Sequence, residues 1–401
     1  MGTVADVPGE STGRVLLKTR QEARLLGGHQ WVFSNEIDSV EGEPVNGGVV
    51  EVTRRDGRLI GLGYYNAHSL IAVRLLTSRR EAIDRGFFVD RIRSAWDRRR
   101  LVYPDLVSYR LVHGESDGLP GLIIDKYEDC AVIQTLCLGM DRAKDTICDA
   151  LEELMRPRCV VERNESHLRR REGLPARRGV LRGETVEPVL IEEDDLRFAV
   201  DLLAGQKTGF YFDQRENRFL VRRYASGARV LDVFCHDGAF GLHAARGGAS
   251  QVLGLDVAPD AVDRARRNAS LNGLEDRCRF EAMEANSALE GLRMQGERFD
   301  MIILDPPAFT KSRKNVPAAK KGYEDLNRRA LRVLRRGGIL ATSACSFHIT
   351  EETFLSCIRR AAQRTNRSLC QFEWRTQAPD HPILPGMPET KYLKFGLFEA
   401  A

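Results

Sequence analysis

The chain has 401 residues, of which 42% are hydrophobic and 29% are charged, a globular composition that excludes a disordered, collagen-like or coiled-coil chain. At about 100 to 200 residues per domain, the length predicts roughly two or three domains, and no apolar run approaches the ~18 residues that a membrane-spanning helix needs. The net charge is only +4, which alone does not indicate a nucleic-acid binder, but residues 201–401 carry +7 while residues 1–76 and 77–200 carry −1 and −2.

The N-terminus and the cysteines bear on the compartment. Residues 1–13 are small and polar and lack the basic and apolar segments of an export signal. The nine cysteines are scattered and never spaced Cys-x-x-Cys, so they indicate neither a disulfide framework nor a zinc site. We expect a cytoplasmic protein with reduced thiols, no metal and no membrane partner.

Two smaller domains are predicted before the main one. Residues 14–76 contain short apolar runs separated by Gly, Asn-Gly and Asp-Gly turns, which predicts a small β-barrel domain over 1–76, either a packing module or an RNA-binding accessory. Residues 77–200 are predicted to form a surface helix over 81–101 followed by an α+β domain. Within it, residues 168–182 hold six arginines against one glutamate, either as a solvated face or as phosphate contacts.

The third domain, 201–401, is predicted to be an α/β, Rossmann-like domain. Strands alternate with helices from Arg229 onward, and this rhythm indicates a parallel sheet covered on both faces. The predicted strands are 230–234, 252–255, 278–281, 301–304 and 339–343, and the helices start near Gly238, Pro259, Asn286 and Lys320.

In such a sheet the ligand lies at the carboxyl ends of the strands, so the residues after each strand are informative. The first strand leads into the small-residue turn 235–241, and the second ends at Asp256, 24 residues after Asp232, where a carboxylate can bind ribose hydroxyls. These features fit NAD and S-adenosylmethionine equally.

The residues after the fourth strand distinguish an S-adenosylmethionine site from an NAD site. It runs into Asp305-Pro306-Pro307-Ala308-Phe309, which resembles motif IV of class I methyltransferases that act on planar nitrogenous substrates. The two prolines fix the backbone and remove donors, so that Asp305 and nearby carbonyls can face a base edge.

One cysteine stands apart from the others. Cys345 follows the fifth strand, beside the expected position of Asp305, where a thiolate can attack a base. A cysteine is more often a small buried hydrophobic residue. This is our interpretation of Cys137, Cys148, Cys278, Cys357 and Cys370.

Taken together, these motifs resemble the RlmI-like family of bacterial 23S ribosomal RNA 5-methylcytosine methyltransferases, over almost the whole chain. The matching segments are 28–37, 114–125, 205–218, 305–309, 341–348, 380–382 and 392–394.

The resemblance implies an N-terminal PUA domain, a central α+β domain and a catalytic domain that uses S-adenosylmethionine on ribosomal RNA. It also implies that segment 206–215 folds over the methionine end of the cofactor. The first-strand loop and Glu284 depart from the family pattern, which has Tyr-Thr-Gly-Gly and Asp there. The predicted cofactor-binding residues are Gln206, Lys207, Thr208, Gln214, Arg215, Asp232, Phe234, Gly238, Asp256, Glu284 and Asp305.

The predicted catalytic residues are Cys345 and Asp305. Cys345 would add to C6 of cytosine while Asp305 hydrogen-bonds or protonates N3, which makes C5 nucleophilic. The base that removes the C5 proton is not identified. Because position 308 is Ala, where many such enzymes have a second cysteine, we expect a single-cysteine mechanism.

Five cations follow the motif, with no acid between Pro306 and Lys321, and they form either a solvated loop or phosphate contacts for an unstacked base. The residues predicted to contact substrate RNA are Pro306, Pro307, Phe309, Lys311, Lys314, Lys320 and Lys321, with Arg313 as the remaining cation.

Two other functions stay open at this point. Asp-Pro-Pro-Phe also suits methylation of an exocyclic amine, which needs no cysteine. A ribosome-assembly or RNA-binding factor could retain the fold without turnover, although Asp256, Asp305 and Cys345 argue against it. The sequence does not give the target nucleotide or tell a monomer from a homodimer.

Overall fold

The computed structural model describes residues 13–184, 188–203, 205, 208–310 and 312–401. The chain divides into two compact units. Unit 1 holds the described residues up to Ile191 together with Val200–Phe212 and Pro379–Thr390, and unit 2 holds Glu192–Ala199, Asp213–Ala378 and Lys391–Ala401. Among the described residues, no helix combines the length and the apolar character that crossing a bilayer demands.

The first part of unit 1 is a six-stranded sheet in the order β2-β6-β5-β4-β1-β3, antiparallel except for the β1–β4 pair. Strands β5 and β6 lie so close together that position 63 requires glycine, because a Cβ atom there would lie 2.4 Å from the Arg74 carbonyl oxygen. The elements are β1 (Gly13–Leu17), α1 (Glu22–Leu26), β2 (Trp31–Phe33), β3 (Ile37–Gly42), β4 (Val49–Thr53), β5 (Leu59–Tyr65) and β6 (Ile71–Thr77). This is the small β domain that the turn pattern predicts.

The second part of unit 1 is a five-stranded sheet in the order β11-β10-β9-β8-β7. The predicted helix over 81–101 is present but starts at Arg85, because the Asp84 side chain accepts the Phe87 N–H and caps the helix. The elements are α2 (Arg85–Val102), β7 (Tyr109–His113), β8 (Leu122–Tyr127), β9 (Cys130–Thr135), α3 (Leu138–Arg142), α4 (Lys144–Met155), β10 (Cys159–Asn164), α5 (Leu168–Arg171) and β11 (Arg177–Gly183). Strands β12 (Val189–Glu193) and β13 (Leu196–Val200) then form a separate pair.

Unit 2 is built on a seven-stranded sheet in the order β16-β15-β14-β17-β18-β20-β19. Its elements are α6 (Arg215–Tyr224), β14 (Arg229–Val233), α7 (Ala239–Arg246), β15 (Gln251–Asp256), α8 (Pro259–Leu271), β16 (Cys278–Ala282), α9 (Ala285–Met294), β17 (Phe299–Leu304), α10 (Val316–Val333), β18 (Leu334–Ala344), α11 (Glu351–Arg364), β19 (Leu369–Arg375) and β20 (Lys394–Ala400).

The five strands β14 to β18 are parallel, which confirms the predicted Rossmann-like sheet. The central strand β17 has a continuous apolar run, as expected of a strand that helices cover on both faces, and its residues Met301, Ile302, Ile303 and Leu304 are fully buried. The sheet then continues with two strands that the helix–strand rhythm did not reveal. Strand β20 runs antiparallel to both β18 and β19.

The strand order reverses between β14 and β17, and this switch point determines where a ligand can lie. The carboxyl ends of β14 and β17 are adjacent there, since Val233 pairs with Leu304. The residues that follow these two strands therefore face one crevice at the edge of the sheet.

Candidate active site

The centre of the crevice is Asp232, on β14. Its side chain is fully buried, and its Oδ2 accepts a hydrogen bond of 2.9 Å from the Gly241 N–H. Burial raises the pKa of Asp232 to about 8, and the carboxylates of Asp305, Asp256 and Asp237 add to the rise. The other oxygen, Oδ1, has no hydrogen-bond partner within the described part of the chain. A buried carboxyl oxygen in this condition is suited to a polar ligand.

The loop after β14 has an unusual backbone. Phe234 and His236 have φ values of 68° and 52°, in the left-handed region that non-glycine residues rarely adopt, and Gly238 has a φ of 83°. A Cβ atom at Gly238 would lie 3.0 Å from Phe280 and 3.1 Å from Ala265. Such strain is concentrated at functional sites, where it fixes a loop in one shape. The two predicted cofactor residues of this loop, Phe234 and Gly238, therefore line a rigid entry into α7.

Asp256 ends β15 and lies against this loop. Its Oδ2 accepts the His236 N–H at 3.0 Å, and its Oδ1 accepts the Ala258 N–H at 2.9 Å. Each carboxylate oxygen has a second lone pair, so these contacts orient the carboxylate and leave capacity for ribose hydroxyls.

Glu284 follows β16 and caps helix α9. It accepts the N–H groups of Asn286 at 3.0 Å and Ser287 at 2.8 Å. Burial acts to raise the pKa of Glu284, but these hydrogen bonds outweigh it and hold the pKa below its usual value. Its contact with the adenine side of the cofactor stays a prediction.

The segment predicted to fold over the cofactor is only partly described. Gln206 and Lys207 lie outside the described residues. Thr208 is buried in unit 1 and hydrogen-bonds the Tyr127 hydroxyl, which also accepts the Phe210 N–H at 2.8 Å. A role for these residues in cofactor binding stays a prediction.

The end of the same segment belongs to unit 2. The buried side chain of Gln214 donates from Nε2 to Asp305 Oδ1 at 2.8 Å, so it contacts the predicted catalytic carboxylate. Arg215 is fully buried and pairs with Glu193, at 3.0 Å between Nε and Oε2. Its guanidinium is thus engaged with a carboxylate of β12, and cofactor contact by Arg215 also stays a prediction.

Asp305 follows β17, and its Oδ1 accepts hydrogen bonds from two side chains. Besides Gln214, the Ser343 hydroxyl donates to its Oδ1. Sequence reasoning missed Ser343, because its contact depends on the pairing of β17 with β18. The next residues form a rigid wall, since Pro306 is buried and the Phe309 ring lies 4.5 Å from the buried Tyr323 ring. Pro307 is exposed to solvent.

Cys345 directly follows β18 and lies beside the same motif. Its Sγ is 3.8 Å from the Pro306 carbonyl oxygen. Seven of the other eight cysteines are buried, whereas Cys345 is partly exposed. One sequence interpretation was wrong: Cys370 is exposed rather than buried, because it lies on β19, which is the edge strand of the sheet.

A lysine that the sequence analysis left without a role stands at the same place. Lys394 begins β20 and is opposite Ala344 in the antiparallel ladder. Its Nζ donates to the carbonyls of Ser346 and Tyr392, both at 2.9 Å. Burial lowers the pKa of Lys394 to about 8. A single lysine within the apolar stretch 393–398 was the sequence signal for a buried charge.

The predicted cationic contacts are only partly described. Lys311 lies outside the described residues. Lys314 precedes α10, Lys320 and Lys321 lie on it, and Lys314 and Lys321 are exposed while Lys320 is half-buried. In the arginine run of unit 1, Arg169 and Arg182 pair with acidic residues, whereas Arg170, Arg171 and Arg177 are exposed.

The crevice carries polar groups that suit S-adenosylmethionine. The unpartnered Oδ1 of Asp232 can accept from the methionine ammonium group, and Asp256 can accept from ribose hydroxyls. The residues that could hold the cofactor in unit 2 are therefore the ends of β14 and β15 and the loop 234–238.

Comparisons with known proteins give the class that this fold and site define. Residues 150–395 match the S-adenosylmethionine-dependent methyltransferase family, and residues 15–78 match a PUA-like domain. A solved S-adenosylmethionine-dependent methyltransferase from Streptococcus mutans has a TM-score of 0.83 at 21% identity, covering 96% of this chain and 99% of its own. The structure of SMU.776, assigned as a methyltransferase and complexed with SAH, has a TM-score of 0.84 at 21% identity and the same coverage of both chains. These two likenesses concern the fold.

Curated relatives narrow the class to one family. Ribosomal RNA large subunit methyltransferase I of Aeromonas salmonicida is 41% identical over 385 residues, which cover 94% of this chain and 97% of that protein. The protein of the same name from Shewanella amazonensis is 40% identical over 387 residues, which cover 95% and 98%. The chain belongs to the ribosomal RNA large subunit methyltransferase I family, as the motifs indicated, and S-adenosylmethionine is its cofactor.

Proposed function

We propose that this protein methylates carbon 5 of a cytosine in 23S ribosomal RNA through a covalent bond between Cys345 and C6. The observation that carries the proposal is the position of the Cys345 thiol, 3.8 Å from the carbonyl oxygen of Pro306 in the motif that begins at Asp305. The substrate class follows from the relatives, which are named for methylation of large-subunit ribosomal RNA.

The nucleophile is needed because C5 of cytosine is poorly nucleophilic. S-adenosylmethionine supplies the methyl group. A bond from Cys345 Sγ to C6 breaks the C5–C6 double bond and turns C5 into an enamine-like carbon. After methylation, loss of the C5 proton returns the S–C6 electron pair to sulfur and restores the aromatic base.

Asp305 serves the other edge of the base. The hydrogen bonds from Gln214 and Ser343 both reach Oδ1, so they fix the orientation of the carboxyl group that would bind N3 of cytosine. The rings of Phe309 and Tyr323 support the wall beside it. Within this motif position 308 is alanine, which supports a mechanism that uses one cysteine.

The nucleophile is tested with Cys345→Ala. We expect methyl transfer to fall by about 10⁴-fold or more, because the variant lacks the sulfur atom that is proposed to bond to C6. The affinity for S-adenosylmethionine, measured by calorimetry, should be unchanged. The matched control is Cys370→Ala, which removes an exposed thiol from the same sheet and should keep full activity. Retained turnover by Cys345→Ala would contradict the covalent mechanism.

A second experiment separates carbon methylation from methylation of an exocyclic amine. Ribosomal RNA labelled with tritium at C5 of cytosine should release one tritium for each methyl group transferred, because the C5 hydrogen is replaced. Transfer without tritium release would indicate the amine as the acceptor. A protein that binds the RNA but transfers nothing would indicate a non-catalytic assembly factor.

A further inference from the structure

Lys394 is the buried charged group beside the site that the mechanism above does not use. Its relative exposure is 5%, and it lies in a strand whose other residues are almost all apolar. Lysine is almost never buried in this way unless a partner stabilises its charge. We therefore expect a neighbouring group whose negative charge Lys394 stabilises.

The contacts of Lys394 lie on both sides of Cys345. In the antiparallel ladder Lys394 is opposite Ala344, the residue before the cysteine. Its Nζ donates to the carbonyl of Ser346, the residue after the cysteine, at 2.9 Å. With the Tyr392 carbonyl as the second acceptor, the described residues use two of the three ammonium N–H bonds, and the third can serve a further acceptor.

The charge of Lys394 is linked to the thiol. Although burial lowers the pKa of Lys394, a negative charge on Cys345 acts to raise it. By reciprocity, the ammonium group stabilises the thiolate over the thiol. Burial also raises the pKa of Tyr323, whose hydroxyl lies 3.2 Å from the Ser346 hydroxyl, so that phenol stays neutral. The other ionisable groups that act on Lys394 are Lys391, which lowers its pKa, and Glu351, which raises it, while Asp305 acts on Tyr323.

We propose that Lys394 is a positioning residue that keeps Cys345 as a thiolate. The proton leaves Sγ for Nζ, which gives a thiolate and an ammonium ion held by the carbonyls of Ser346 and Tyr392. The thiolate then bonds to C6 without a separate base, and elimination later returns the electron pair to sulfur. The proposal deepens the covalent mechanism and rests on Cys345 being the nucleophile.

The proposal is tested first on the thiol itself, without turnover. Full-length, ligand-free protein is alkylated with iodoacetamide between pH 5.5 and 9.5, and the rate at Cys345 is read from its peptide by mass spectrometry. We expect a midpoint at least about one pH unit below the ~8.5 of an ordinary cysteine. A wild-type midpoint at or above that value would overturn the proposal, and this result depends on no variant.

Variants then assign the effect to Lys394. In Lys394→Met the midpoint should rise by at least one pH unit, whereas Lys394→Arg, which keeps the positive charge, should restore most of the shift. The control is Arg375→Met, which removes an exposed positive charge from the neighbouring strand β19 and should stay near the wild type. Equal midpoints in Lys394→Met and the wild type would contradict the pairing.

Turnover separates this proposal from the covalent mechanism. In Lys394→Met we expect kcat to fall about tenfold or more at pH 7 and to recover partly at pH 9, where the unassisted thiol ionises. A pH-independent loss would indicate a merely structural lysine. If Cys345→Ala retains turnover, the covalent mechanism fails, whereas the alkylation midpoints still report whether Lys394 and Cys345 form an ion pair.

Discussion

Asp232 shows how much one buried carboxyl group can depend on its neighbours. Burial, together with three nearby carboxylates, raises its pKa to about 8, far above the ~3.9 of an exposed aspartate. At neutral pH the ligand-free native state therefore binds a proton that the unfolded chain has lost. A cation in the crevice would reverse this preference, which suits a site for a positively charged cofactor.

This proton makes the stability of the ligand-free protein depend on pH. Because the folded-state pKa is raised, the native state holds the extra proton between about pH 4 and 8, and its stability falls as pH rises through that window. Asp232→Asn has no proton to lose. Relative to the wild type, the free energy of unfolding of the variant should increase by about 1.4 kcal/mol per pH unit between pH 5 and 7, as measured by urea unfolding. Parallel stability curves for the two proteins would contradict the raised pKa.

The residues of the site that could be predicted from sequence are those that directly follow a strand. Asp256, Asp305 and Cys345 were predicted because an apolar run in the sequence indicates a strand, and each of these residues lies at the end of such a run. Ser343 and Lys394 were not given roles, since their contacts depend on strands brought together across long stretches of chain. Periodicity carries no information about such pairings.

Among the elements, helix α10 carries two of the lysines that are predicted to contact RNA. It follows the Asp305 motif, and its first turn contains Pro317, which fits the start of a helix and explains why α10 begins at Val316 rather than near Lys320 as predicted. Lys320 and Lys321 thus lie in its second turn. A helix holds such side chains at a fixed spacing, as phosphate contacts require.

Charge reversal on α10 tests this surface. We expect Lys320→Glu/Lys321→Glu to weaken binding of 23S ribosomal RNA and to reduce the slope of log K against log salt by about 1 to 2, which corresponds to two phosphate contacts. Cofactor affinity should be unchanged. The control, Arg359→Glu/Arg360→Glu, makes the same charge change at two exposed residues of α11. Equal losses in both variants would indicate a general charge effect.

The strands of the sheet were predicted with different success. The five parallel strands were recognised because each contains buried apolar residues and is followed by a helix. Strands β19 and β20 were missed because no helix separates them and residues 379–390 between them belong to unit 1. Their place in the sheet comes from tertiary pairing, which local sequence does not encode.

At the scale of the whole molecule, each unit is assembled from separate stretches of the chain. Unit 2 includes Glu193, which is buried together with Arg215, Arg218 and His243. Its carboxylate lies 3.0 Å from Arg215 and 3.1 Å from His243. Although burial acts to raise the pKa of Glu193, the two guanidinium groups and the imidazole lower it well below its usual value. The domain boundary predicted at residue 201 would separate this carboxylate from the buried arginines that it neutralises.

Fragments test the boundary. A fragment of residues 201–401 lacks Glu193 and leaves Arg215 and Arg218 buried without this counter-charge. We expect this to lower the free energy of unfolding by about 3 to 5 kcal/mol. A fragment of residues 188–401 retains the carboxylate. We expect only the longer one to unfold cooperatively in urea, and Glu193→Gln in that fragment to abolish the difference. Equal stability of the two fragments would support the boundary at 201.

Unit 1 contains a similar long-range contact, with a consequence for how the protein is made. The Arg99 guanidinium donates to the Asp380 carbonyl at 2.8 Å, across 281 residues of sequence. At about 5 to 20 residues per second, a ribosome needs about 14 to 56 s to travel that distance. Nearly all of unit 2 emerges in this interval. The first part of unit 1 therefore lacks this contact until residue 380 is made, when only 21 residues of the chain remain to be synthesised.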